Sequence, residues 1–219
     1  MIDLHTHTFM SDGCLSISEL VYRAKIAGYK AIAITDHTDY SNYKTVIDAV
    51  KSVQTILTNE YDIQVFRGVE LTYIPPKNIK DLVAKCRDCG AQIIVVHGET
   101  PAEKVPAQTN LQAIEAGVDI LAHPGFITEE EVILAKEKNV CLEITSRGGH
   151  SKTNKWVADL AKKVGAKMVF GNDVHSPENI LNKQQVFEIL KNVQLNETDF
   201  EIMQRNAGEI IDSIMLRQN

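Results

Sequence analysis

The sequence predicts an α/β fold in which a parallel sheet closes into a distorted barrel of seven strands, with a metal site at the C-terminal ends of the strands. Short, β-branched apolar runs alternate with segments of helical spacing, the pattern of strands joined by crossover helices. Histidines and acids recur where those runs end. Side chains drawn from six or seven strand ends converge in a closed barrel, whereas an open doubly wound sheet spreads them along a row.

The strand runs are Ile2 to His5, Ala31 to Thr35, Ile63 to Glu70, Gln92 to His97, Val118 to His123, Val140 to Thr145 and Met168 to Gly171. Helical spacing marks Ile17 to Ala27, Tyr43 to Leu57, Ile79 to Cys86, Leu111 to Ala116, Glu129 to Lys138, Lys155 to Val164 and Gln185 to Leu190. Ser16 with Glu19 reads as a capping box, and Gly28, Gly90, Gly117 and Gly165 follow helices where a left-handed stop is useful. From Asn196 onward, Phe200, Ile202, Met203, Ile210, Ile211 and Ile214 predict a closing helix or pair of helices for packing. Tyr73 to Asn78 and Gly98 to Gln108 read as Pro-containing loops. Seven strands where eight are usual imply a distorted or incompletely closed barrel.

At 219 residues, 44% apolar and 24% charged, the chain holds one sizeable core, so residues 1–219 read as a single catalytic domain. A net charge of -6, with acids spread along the chain, disfavours a duplex nucleic acid partner, because phosphate neutralisation needs clustered Lys and Arg. No apolar run approaches the roughly 20 residues of a membrane span. Candidate ligands at positions 3 to 7 leave no room for a cleavable signal, so a cytoplasmic protein without a membrane partner is expected. Cys14, Cys86, Cys89 and Cys141 are unevenly spaced and are expected to be free thiols. No sequence feature fixes an oligomeric state.

In an extended strand, residues two apart share a face, so His5 with His7, and Asp173 with His175, can each present two ligands to one pocket. His37, Glu70, His97 and His123 end intervening runs, which makes a polynuclear metal site the first inference. Asp3 shares the strand face of His5 and is placed to accept a hydrogen bond from a ligating imidazole.

In order, Asp3-Leu4-His5-Thr6-His7-Thr8, Ser11-Asp12-Gly13, Thr35-Asp36-His37, Glu70, His97, His123-Pro124-Gly125 and Asp173-Val174-His175 resemble the motifs of the PHP (polymerase and histidinol phosphatase) family. The resemblance spans residues 3 to 175 and implies a (β/α)7 barrel and three divalent metal ions catalysing phosphoester hydrolysis. Carried over, it assigns His5, His7, Glu70 and Asp173 to one ion, with Glu70 bridging to a second held by His97 and His123. Asp12, His37 and His175 would hold the third. Such mixed imidazole and carboxylate donors suit Zn, Mn or Fe, and no thiolate set points to a structural zinc site. Three divalent ions bring about +6, and Asp12, Glu70 and Asp173 return about -3, leaving a centre suited to a phosphate dianion.

Arg147 and His150 lie beyond the sixth strand, where Arg147 could clamp phosphate and His150 could protonate the leaving alcohol or contact substrate. Asp36 reads equally as a support for His37 or a helix cap, and Glu99 and Glu143 read as surface or capping carboxylates. Cys86 and Cys89 have redox spacing but the setting of helix packing, and Lys152, Lys155, Lys162 and Lys163 read as a solvated face. The expected function is metal-dependent hydrolysis of a small anionic phosphate ester, by attack of metal-bound hydroxide on a phosphomonoester such as histidinol phosphate or a nucleotide. A nuclease for short single strands is the first alternative, weakened by few obvious stacking aromatics; a noncatalytic metal-binding module is the second.

Overall fold

The computed structural model describes residues 1–217. Strands β1 (Ile2–Asp3), β2 (Ala31–Ile34), β3 (His37–Thr38), β4 (Gln64–Leu71), β5 (Ile93–His97), β6 (Ile120–Ala122), β7 (Cys141–Thr145) and β8 (Met168–Gly171) form one parallel sheet. Its order is β1-β2-β4-β5-β6-β7-β8, with β3 continuing the line of β2 against β4. The helices are α1 (Ile17–Ile26), α2 (Tyr43–Tyr61), α3 (Ile79–Asp88), α4 (Thr109–Ala116), α5 (Glu129–Glu137), α6 (Asn154–Val164), α7 (Lys183–Asn192) and α8 (Glu197–Arg217). Every expected strand run is present, and the closing segment is one long helix. Among the described residues, no helix is long and apolar enough to cross a membrane.

Alternation along the strands sorts the core. Ala31, Ala33, Phe66, Ile93, Val95, Ile120, Ala122, Cys141 and Val169 point inward and pack with Ala207, Ile210, Ile211 and Ile214 of α8, which stoppers the lower end of the barrel. Val69, Leu71, Ile94, Val96, Leu121, Leu142, Ile144 and Phe170 face outward against helices. Continuing the inward register upward from Phe66, Val95 and Cys141 brings Glu70, His97 and Glu143 to the upper mouth.

The barrel is distorted at its seam. β1 and β8 do not pair directly; above them, the His7 N–H donates to the Val174 carbonyl at 2.8 Å and the Asp173 N–H to the His5 carbonyl at 3.1 Å. Below, α8 fills in with side-chain amides: Gln204 Oε1 accepts from the Ile2 N–H at 2.6 Å, and Asn206 Nδ2 donates to the Met168 carbonyl at 2.7 Å. These bonds satisfy backbone groups that eight-strand closure would have paired.

Helix ends differ in detail from expectation. Ser16 caps α1 by accepting from the Glu19 N–H, but the Glu19 carboxylate turns to Arg23, so only half of the capping box forms. Full boxes stand instead at Thr128–Glu131 and Asn182–Gln185. Cys86 is buried on α3, and all four cysteines are free. Lys155, Lys162 and Lys163 pair with Asp159, Asp199 and Glu129 on a solvated face.

Candidate metal centre

All nine candidate ligands identified from the sequence meet at the upper mouth. Ligand atoms lie within 4.8 Å of one another in each of four sets: His5, His7 and Glu70; His5, His123 and Asp173; His7, Asp12, His37 and His175; and His97, His123 and His150. The grouping overlaps the one that the family resemblance implies, but His7 also reaches the Asp12 set and His150 joins His97 and His123. Asp12, on the loop after β1, is the exposed member; most of the others are buried.

Glu70 sits at the centre, fully buried, with Oε1 3.3 Å from His5 Nε2 and 3.5 Å from His123 Nε2. Its Oε2 lies 2.7 Å from His37 Nδ1 and 3.5 Å from His7 Nε2. Pairing of β3 with β4 sets His37 directly across from Glu70. Asp173 faces His7 Nε2 at 3.2 Å and His123 Nε2 at 3.7 Å, and His175 Nε2 is 3.1 Å from Asp12. His123 and Asp173 both adopt positive φ, 29° and 53°, a strained backbone typical of functional sites.

The electrostatics are those of a site built for cations. Neither Glu70 oxygen has a hydrogen bond of good geometry, and His7 Nδ1, His123 Nδ1 and His150 Nδ1 are buried without a partner. His5 Nε2 and His7 Nε2 face each other at 3.1 Å. Leaving such groups unpaired costs on the order of 1–3 kcal/mol each, and divalent cations bind this donor chemistry. Burial favours a neutral Glu70, yet His5 and His37 hold its carboxyl well below the usual range. Against burial, Glu70 raises His37 to about 9, while burial brings His7 and His150 down to about 4.

Several supports differ from expectation. Glu143, read as a surface or capping carboxylate, is buried: Oε1 accepts from His5 Nδ1 at 2.6 Å and Oε2 from the His123 N–H at 3.1 Å. That bond fixes the His5 ring with Nε2 toward Glu70. Asp3 does not meet an imidazole; it accepts from the His5 backbone N–H at 3.2 Å and from Asn172 Nδ2 at 2.7 Å, bracing the turn before Asp173. Asp36 accepts from Thr8 N–H and Oγ1 and from Ser11 Oγ, so it organises the loop carrying Asp12. Glu99 does cap, accepting from the Asn110 N–H at 3.0 Å in the first turn of α4. Arg147 places Nε 3.7 Å from Asp173 Oδ2.

A cavity of about 360 Å³ adjoins Asp12 and His37 and is walled by Thr72, Tyr73, Asn42 and Glu103. Exposed Phe9, Tyr40, Tyr73 and Phe126 stand just past His7, His37, Glu70 and His123, and exposed Trp156 lies in the first turn of α6.

A barrel whose upper mouth gathers imidazoles and carboxylates around unpaired buried donors belongs to the metal-centre class of β/α proteins. A family profile described as PHP domain matches residues 3–154, and the chain belongs to the PHP family. An uncharacterized protein of Methanocaldococcus jannaschii is 48% identical over 83% of this chain and 84% of its own length. A Clostridium botulinum protein named "Probable phosphatase" is 29% identical over 90% of this chain and 88% of its own. A Methanosarcina mazei protein named "Ribonuclease P protein component 3" is also 29% identical, over 75% of this chain and 69% of its own. A chain in the cryo-EM structure of archaeal ribonuclease P with mature tRNA superposes with a TM-score of 0.74, covering 98% of this chain and 91% of that chain; at 19% identity the likeness is one of fold.

Proposed function

We propose that the protein is a metal-dependent hydrolase of phosphate esters, acting on a small phosphomonoester. The observation that carries this reading is the convergence of nine mixed imidazole and carboxylate donors on one mouth, with the Arg147 guanidinium beside them. His5, His7, Glu70 and Asp173 would hold one divalent ion, Glu70, His97 and His123 a second, and Asp12, His37 and His175 a third, with Zn, Mn or Fe suited to the set. When bound, such ions supply positive charge for phosphoryl oxygens and acidify water for attack on phosphorus. Arg147 orients the phosphoryl group through charge-assisted hydrogen bonds, and the half-exposed guanidinium is open to it. The adjoining cavity receives the alcohol portion of the ester. A relative named as a phosphatase is consistent with this chemistry.

A second reading is hydrolysis of short single-stranded nucleic acid. It is favoured by exposed Tyr73, which lines the cavity and stacks on His97 with ring centroids 6.5 Å apart, because each base offers a face to stack on an aromatic side chain. One assay separates these: protein of measured metal content is presented with phosphomonoesters, phosphodiesters and oligonucleotides in the presence of each metal. Phosphate release from monoesters is the expected result, with Arg147→Ala lowering kcat/KM roughly 10- to 100-fold, the range of one lost hydrogen bond to a charged group. Diester cleavage alone overturns the phosphomonoester preference, an unchanged kcat/KM removes the clamp, and metal binding without turnover leaves a noncatalytic module.

A further inference from the structure

We propose that His150 is itself a cation ligand, completing with His97 and His123 an all-imidazole triad at one end of the cluster. The inference rests on the reading of the mouth as a cation site, and it adds a tenth donor to the nine that sequence motifs supply.

The ligand atoms of the three histidines lie within 4.8 Å of one another, and all three side chains are buried. The His150 ring centroid is 4.3 Å from that of His123 and 5.7 Å from that of His97. His97 Nδ1 is bonded to the Gly98 carbonyl at 3.0 Å, which leaves its Nε2 for coordination. Nδ1 of both His123 and His150 is buried with no hydrogen-bond partner. A solvated loop histidine would have neither this burial nor these neighbours.

The fold, not loop chance, puts His150 there. Gly149 turns at φ 91°, and a Cβ at that position would press on Ala102 at 3.3 Å. Beyond the turn, the Ser151 N–H donates to the Arg147 carbonyl at 3.0 Å, and Thr153 Oγ1 to the His150 carbonyl at 3.3 Å. Asn154 then clamps both backbone groups of Thr145, accepting from its N–H at 3.1 Å and donating to its carbonyl at 2.7 Å. The loop is therefore stapled at its start and at its end. Beside bridging Glu70, three neutral imidazoles subtract no further charge from the ion they hold, so this end of the cluster keeps more positive charge than the end held by both Glu70 and Asp173.

The test is metal binding, not turnover. Full-length protein, His150→Ala and His150→Gln are loaded with Co(II), and stoichiometry, chelator-competition affinity and visible absorption are measured, with thermal melts of the metal-free forms as folding controls. The expected result is that the variants lose tight binding of one equivalent, weakened on the order of 10- to 100-fold or more, and that its absorption bands change. Added imidazole should restore the bands in His150→Ala. Wild-type loading with unchanged affinity and spectra in both variants overturns this inference alone. A wild-type chain taking up less than one equivalent overturns the cation-cluster reading and this inference together.

Discussion

Glu143 shows how a residue outside every motif can govern the site. Its carboxylate holds His5 by Nδ1 and the His123 backbone at once, so one side chain sets two candidate ligands. Gly171 makes room for it: a Cβ there would stand 2.0 Å from Glu143 Oε1. Glu143→Gln keeps the shape but removes the charge that makes His5 a better donor, and the expected effect is metal affinity weaker by about 10- to 100-fold with the fold retained. Gly171→Ala should weaken binding in the same direction by displacing the carboxylate. Chelator competition measures both, and wild-type affinity in either variant would count against this role. Strand periodicity placed Glu70 and His97 on the inward face, whereas His5, His7, Asp173 and His175 lie past the ends of β1 and β8, with Asp173 turned at φ 53°, and were legible from the ordered motifs instead. Glu143 was not, because a lone acid on a strand has the same sequence signature whether it points to solvent or to the barrel axis; counting by twos from apolar Cys141 was the available clue. Asp3 reads from the sequence as a strand-face neighbour of His5 that supports an imidazole, yet it bonds the His5 backbone amide and Asn172, which is far away in the chain.

Elements were easier to read than the loops between them. The apolar runs found the strands, but His37–Thr38 escaped as a strand because two residues carry no period, and its pairing to Glu70–Leu71 is purely tertiary. Likewise the loop after β7 holds no helical or strand pattern, so its order rests on Asn154 spanning it at the base. Asn154→Ala leaves the Thr145 N–H and carbonyl without these partners in a buried setting, which should cost about 1–3 kcal/mol per unsatisfied group. Urea denaturation should show a lowered midpoint with an unchanged slope. A midpoint equal to wild type would mean that the Asn154 bonds do not hold the loop, and the fixed placement of Arg147 and His150 would lose its support.

At the scale of the whole molecule, the seam and the site are the same place. The first and last strands share no ladder and are joined by backbone bonds of His5, His7, Asp173 and Val174 and by Asp3 accepting from Asn172, and the neighbouring side chains form the cluster. An ion shared by His5, His7 and Asp173 would thus bridge the barrel where its sheet is weakest. Binding at 1,000 times Kd stabilises by about 4 kcal/mol, which for a chain of this size is on the order of 10 °C in Tm. The size of this gap should depend on pH. In metal-free protein, His37 is raised to about 9, against burial and by Glu70, so its ion pair stabilises the fold fully below about pH 6.5 and is lost as pH rises through about 9. A cation requires the opposite form, the neutral imidazole, so loading at pH 7 must displace a proton from His37. Calorimetric melts with saturating metal and with chelator should therefore diverge progressively between about pH 6 and pH 9, the metal-free Tm falling as the bound form gains. Titration in buffers of different ionisation enthalpy should register the released protons at pH 7. Equal melts with and without metal would mean that the seam is not bridged, and a gap that narrows with rising pH would mean that His37 is not among the groups that coordinate.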